Sequence, residues 1–102
     1  RQPGLFDPNN VEVKNGKLYM NAKIDWNTAS SQSSKGYEKY TTSAVTAKNS
    51  VKYGYIEIQA KVASSKVSSA FWLSNDDSGG SGSWTEIDVF EQAGTVNAKW
   101  ND

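Results

Sequence analysis

Apolar positions in this chain recur mostly at every second residue, in short runs broken by Asn, Gly, Ser and Pro. Period-two runs of this length predict strands rather than helices. Val11-Glu12-Val13 and Leu18-Tyr19-Met20 flank Asn15-Gly16, the favoured pair for a type I′ turn, so a hairpin is expected there. Ala22 to Trp26 reads as an extension of its second strand. Tyr40 to Ala47 alternates and is rich in Thr and Val, which predicts another strand. From Tyr53 to Val62, Ile56, Ile58, Ala60 and Val62 face one way, and Tyr55, Glu57, Gln59 and Lys61 the other. This is the pattern of a half-exposed strand. Ala70-Phe71-Trp72-Leu73 is an apolar strand core, with Trp72 on the face opposite Phe71 and Leu73. The connecting segments are polar. Arg1 to Asn10, with both prolines, reads as an irregular entry, and Trp26 to Lys39 as a long loop. Ala63 to Ser69 reads as a Ser-rich turn region, and Ser74 to Ser83 as an exposed flexible loop. No segment predicts a helix. The expected fold class is all-β, an antiparallel β-sandwich.

The last run, Trp84-Thr85-Glu86-Ile87-Asp88-Val89-Phe90-Glu91, breaks its own rule. Strict alternation places Trp84, Glu86 and Asp88 on one face and Ile87 and Val89 on the other. It also sends Glu91 to the apolar face, where an unpaired carboxylate is costly to bury. One extra residue at Val89-Phe90, a β-bulge, shifts the phase and returns Glu91 to the face of Glu86 and Asp88. Three acids on one strand face repel one another, and no Lys or Arg is interleaved. Such a cluster suits glycoside hydrolysis, which uses a pair of carboxyl groups, and neighbouring like charges disfavour their joint ionisation. The plainer alternative is a solvated face without chemistry.

Composition narrows the choices. The 102 residues contain no Cys and no His, and the formal net charge is zero. Zero charge gives no reason to expect nucleic acid or an anionic membrane as partner. Without Cys or His there is no disulfide scaffold, no thiolate metal site and no Ser-His-Asp triad, so carboxylates are the acid/base candidates. No apolar run approaches a membrane span. The Asp76-Asp77 pair lies in the Ser74–Ser83 loop, but its spacing does not match an EF-hand, so no cofactor is expected and calcium is unsupported. The chain carries twelve aromatic residues, four of them Trp, a rich set for a polar sequence and one suited to stacking on sugars.

Glu86-Ile87-Asp88-Val89-Phe90-Glu91 resembles the bulged catalytic signature of glycoside hydrolase family 16. Lys52-Tyr53-Gly54-Tyr55-Ile56-Glu57, Ala60-Lys61-Val62 and Ala70-Phe71-Trp72-Leu73 are similar to that family's preceding strands in order and spacing. The resemblance covers roughly Gly16 to Gly94. It implies a jelly roll whose curved inner sheet holds a sugar chain. It further implies that residues 1–102 are the N-terminal part of one catalytic domain, with the remaining C-terminal part as partner. By the same resemblance the activity is endo-acting, retaining hydrolysis, in a secreted, cell-surface or periplasmic protein. Glu86 is then nucleophile, Glu91 general acid/base, and Asp88 the residue that orients Glu86. Ser68-Ser69-Ala70-Phe71-Trp72-Leu73 departs from the Trp-Pro-containing form of β-1,3-glucanases and, with the long Trp26–Lys39 loop, looks more like agarases and porphyranases. The implied substrate is a β-linked red-algal galactan, agarose or porphyran. A laminarin-type β-1,3-glucan is the alternative, as is a sugar-binding sandwich without catalysis. The implied substrate-binding residues are Trp72 and Glu57; Trp84, on the face of Glu86, and Trp26, at the edge of the long loop, are further candidates for stacking on a sugar. For Trp72 the ordinary alternative is a core position, for Trp26 a cap on the local core, and for Glu57 a cross-strand ion pair with a lysine.

Overall fold

The computed structural model describes residues 4–37, 39–64, 67–75 and 84–92. These form two compact units, Arg1–Gly54 and Tyr55–Asp102. The first unit holds strands β1 (Gly4–Phe6), β2 (Val11–Lys14), β3 (Lys17–Met20), β4 (Lys23–Ile24) and β5 (Tyr40–Thr42). The second holds β6 (Ser69–Ser74) and β7 (Glu86–Gln92). The class is all-β, as the alternation predicts, and three of the four strand pairings are antiparallel.

The β2–β3 hairpin forms as expected. Val13 pairs with Leu18 and Lys14 with Lys17 across a two-residue turn. Asn15 and Gly16 have φ of 51° and 70°, both left-handed as a type I′ turn requires. Lys14 pairs with Glu12 at 2.9 Å and lies over the Tyr19 ring at 4.7 Å. Exposed contacts of this kind add little to stability.

Several expectations need correction. Within the expected irregular entry Arg1–Asn10, Gly4–Phe6 is a strand: β1 pairs in parallel with β5, a link between residues far apart in sequence. Gly4 allows it, because a Cβ there would stand 2.7 Å from Thr42 Cγ2. A 3-10 turn follows at Pro8–Asn10, with the Asp7 carboxylate accepting from Asn9 N–H and Pro at its first position. Ala22 to Trp26 does not extend the hairpin; Lys23 and Ile24 pair instead with Thr41 and Tyr40 of β5. The expected Trp26–Lys39 loop contains a helix, α1 (Trp26–Ser30), and a 3-10 turn at Ser33–Lys35 that ends on Gly36 at φ 86°. A five-residue helix is too short to leave a periodic signature, but Asp25 caps it by accepting from Thr28 N–H at 3.0 Å. The Tyr40–Ala47 strand stops at Thr42. The Tyr53–Val62 run forms no strand in the described structure. Its alternation sets which side chains share a face, whereas a ladder also needs a neighbouring backbone.

Buried polar contacts hold the first unit. Asn10 and Thr41 are almost fully buried, at 1% and 0% exposure. Asn10 Nδ2 donates to Thr41 Oγ1 at 3.0 Å and to the Thr42 carbonyl at 3.1 Å. The Asn10 carbonyl accepts from Asn21 N–H at 2.8 Å. One side chain and its own backbone therefore tie β5 to both ends of the hairpin. Among the described residues, Ala29 is the single fully buried apolar side chain.

Two measurements follow. Asn10→Ala removes both side-chain bonds and takes the Asn10 donor from the buried Thr41 hydroxyl, so denaturant unfolding should show a loss of about 1–3 kcal/mol. Asp25 is held below the ordinary aspartate pKa, chiefly by hydrogen bonds from the Thr28 backbone and side chain. Its contribution is complete above the unfolded-state value and is lost as pH falls through the lower folded value. Asp25→Ala should lower Tm by a few degrees at neutral pH, and that difference should vanish in strong acid.

Candidate active site

The second unit is built on the β6–β7 hairpin. In β6, Phe71 and Leu73 are half-buried while Ala70, Trp72 and Ser74 are exposed. Directly paired residues lie on the same face of a sheet. Ser74 pairs with Glu86, Leu73 with Ile87 and Trp72 with Asp88. The register then shifts: Phe71 pairs with Phe90, Ala70 with Glu91 and Ser69 with Gln92, leaving Val89 without a partner. Val89 is the extra residue of a bulge, at the place where the sequence called for one.

The shift sorts the side chains by chemistry. Glu86, Asp88 and Glu91 join Ala70, Trp72 and Ser74 on one face, all of them exposed. Phe71, Leu73, Ile87 and Phe90 lie on the other. Phe90 also meets Ile58, Ala60 and Val62 in a shallow apolar concavity, so the expected inward side of that run does face apolar neighbours. Along β6, Asp88 is two steps from each glutamate and the glutamates are four steps apart. At about 3.3 Å per step that separates the two backbones by about 13 Å. Small residues stand opposite both glutamates, Ser74 at Glu86 and Ala70 at Glu91, and leave the space above them open. Among the described residues no three acidic side chains converge on a point that would hold a metal ion.

Two tryptophans meet here. The Trp72 and Trp84 ring centres lie 6.5 Å apart, tilted by 49°. Their exposures are 46% and 61%, so neither occupies a core. Trp84 is held by a contact the sequence reading missed. Asn75 N–H donates to the Thr85 carbonyl at 3.1 Å, and Thr85 N–H donates to Asn75 Oδ1 at 2.7 Å. The sequence places Asn75 in the flexible loop. An Asn directly after an apolar strand, able to mimic a backbone acceptor, was the available signal. The rest of that loop, Asp76 and Asp77 included, lies outside the described residues, as does Gly94–Asp102.

Glu57 is exposed and accepts from Tyr55 Oη at 2.9 Å; no lysine pairs with it among the described residues. Trp26 stands in the first unit at 60% exposure and does not cap a core.

Comparison with known proteins gives the family. The family model described as "Beta-porphyranase A-D, GH16 domain" matches residues 1–102. The chain belongs to glycoside hydrolase family 16. It is 33% identical, over 107 aligned residues, to β-porphyranase B of Zobellia galactanivorans. That alignment covers 98% of this chain and 35% of the relative, so the chain spans about a third of the relative's length. No solved structure matches it. The all-β class and antiparallel hairpins fit part of the jelly-roll sandwich that the resemblance implies.

Deleting Val89 should give a plain ladder with the pairs Phe71–Phe90 and Ala70–Glu91 intact, because the bulge residue makes no pair of its own. Cross-strand NOEs would show it. A Glu91 displaced from Ala70 would mean that the far pairing needs the bulge.

Proposed function

We propose that the protein carrying this chain is an endo-acting, retaining glycosidase of red-algal β-linked galactans, with porphyran as substrate. The observation that carries this reading is the β6–β7 register, which gathers three carboxylates and Trp72 on one open face. The names of the family model and of the Zobellia relative favour porphyran over agarose.

Glu86 attacks the anomeric carbon and forms a covalent glycosyl-enzyme as the glycosidic C–O bond breaks. Glu91 donates its proton to the departing oxygen. It then takes a proton from water, which attacks the anomeric carbon and releases Glu86. Asp88, midway between them, orients Glu86 and biases it electrostatically. Retaining chemistry needs the two carboxyl groups about 5–5.5 Å apart. Two glutamate side chains leaning inward from the ends of this row close most of the gap between their backbones. Trp72 and Trp84 stack on pyranose faces and exclude water, and Glu57 accepts from a sugar hydroxyl. The reverse face, with Ile87 at 59% exposure, is where the remaining C-terminal strands of the same domain pack. Such an enzyme acts on an extracellular polymer, so we place it outside the cell or at its surface.

The test is release of reducing ends from porphyran, agarose and laminarin by the whole protein. Porphyran should be cut fastest. Glu86→Gln and Glu91→Gln should each reduce cleavage by about 10²–10⁴-fold or more while polysaccharide binding persists. Cleavage undiminished by both changes would sink the assignment. Binding without cleavage in the unaltered protein would favour a sugar-binding module.

A further inference from the structure

The run from Tyr55 to Val62 has two unlike sides. Ile58, Ala60 and Val62 line the apolar concavity with Phe90. Side chains two residues apart share a side of an extended backbone, so Tyr55 and Glu57 share the other. Tyr55 is 87% exposed, against 41% for Ile58. Its ring is not used in that packing.

Its hydroxyl, by contrast, has a defined partner. Tyr55 Oη donates to Glu57 Oε2 at 2.9 Å. An ionised carboxylate only accepts, so the phenol supplies the proton of this bond. Two such exposed groups would otherwise be hydrated, and the bond adds little to stability. What it changes is freedom of movement. A glutamate carboxylate swings about three side-chain torsions, and fixing Oε2 narrows the directions in which Oε1 can point. Tyrosine has two torsions of its own, which makes it a stiff brace. A neutral donor also leaves the carboxylate charge in place, and acceptor sites remain on both oxygens. A carboxylate held in this way suits a neutral hydroxyl donor, and a sugar ring carries several.

We propose that Tyr55 is a positioning residue for polysaccharide binding. Its hydroxyl holds Glu57 Oε2, and Glu57 Oε1 accepts from a hydroxyl of one sugar unit. Tyr55 acts through Glu57 and does not itself touch the sugar. Ordering the carboxylate in advance lowers what must be ordered when the sugar arrives. No covalent bond is made or broken there. The sugar contact of Glu57 rests on the galactan reading above; the brace rests on the Tyr55–Glu57 geometry.

The test measures binding of a porphyran oligosaccharide to the whole protein carrying Glu86→Gln, so that substrate survives. Tyr55→Phe keeps the ring and removes the hydroxyl. It should weaken binding about threefold to tenfold, the range expected when one rotamer-rich side chain has to be ordered on binding. Glu57→Ala should weaken binding at least as much. Adding Tyr55→Phe to Glu57→Ala should have no further effect, because a residue that acts through another is silent once the other is gone. With Glu86 intact, Tyr55→Phe should raise KM for porphyran and leave kcat unchanged, as for a contact made equally to substrate and transition state. Unchanged binding in Tyr55→Phe or in Glu57→Ala would overturn the proposal. So would an equal loss from Tyr55→Phe with and without Glu57, which would mean that Tyr55 meets the sugar itself, and so would a loss confined to kcat. Cleavage by the unaltered protein with normal binding in Tyr55→Phe would remove the brace and leave the hydrolase reading. Glu57-dependent weakening by Tyr55→Phe, without cleavage in the unaltered protein, would do the reverse. No affinity for the oligosaccharide at all would overturn both.

Discussion

A one-residue offset in the pairing of β6 with β7 decides whether the third acid of the candidate site joins the other two. Side chains alternate along a strand, so any odd slip exchanges the two faces. Val89, left out of the ladder, absorbs that slip. Its effect is to keep Phe90 with Phe71 on the apolar side and Glu91 with Ala70 on the acidic side. Without the offset, both the glutamate and the phenylalanine would stand among the wrong neighbours. The bulge thus solves a packing problem and assembles three carboxylates in the same step. At the loop end of the hairpin, the Asn75–Thr85 pair continues the pairing, with Trp84 beside Trp72.

The first unit is held differently. Its strands are short, and its sheet is ordered β1-β5-β4, so local propensity contributes little. Cohesion comes from a few buried or capping polar groups, each serving more than one element. Asn10 joins β5 to the hairpin, and Asp25 joins α1 to the residue preceding β5. Buried polar groups stabilise a fold only when they are satisfied, and these are. The same economy places the Lys39 ammonium over the Trp26 and Tyr40 rings. The backbone bond from Asp25 to Lys39 sets the cation between two rings that would otherwise belong to unrelated segments.

Both units leave large apolar faces open. Val13, Leu18 and Met20 are at least half-exposed or nearly so on one side of the β2–β3 hairpin, and Ile87 is exposed on the reverse of β7. Membership of glycoside hydrolase family 16, and the 35% of the relative's length that the chain spans, give such faces a natural use as sandwich interior. The opposite face of β6–β7 is open and carries the three carboxylates with Trp72.

The sequence by itself determined what depends on near neighbours. Asn15-Gly16 fixed a hairpin because few residue pairs accept two left-handed conformations in succession. Glu91 revealed the bulge because a carboxylate on the apolar face is too costly to leave there. Alternation from Ile56 to Val62 and from Phe71 to Leu73 showed which side chains travel together. Tertiary structure alone decided which strands meet. The parallel pairing of Gly4–Phe6 with Tyr40–Thr42 spans more than thirty residues, and no local pattern encodes such a partner. Nor does any pattern announce a five-residue helix at Trp26, a run from Tyr53 that finds no ladder, or a lysine caught between two rings. The division has one physical cause. Face and turn preferences act within a few bonds, whereas partners are chosen by contacts between distant backbones once the chain has closed on itself.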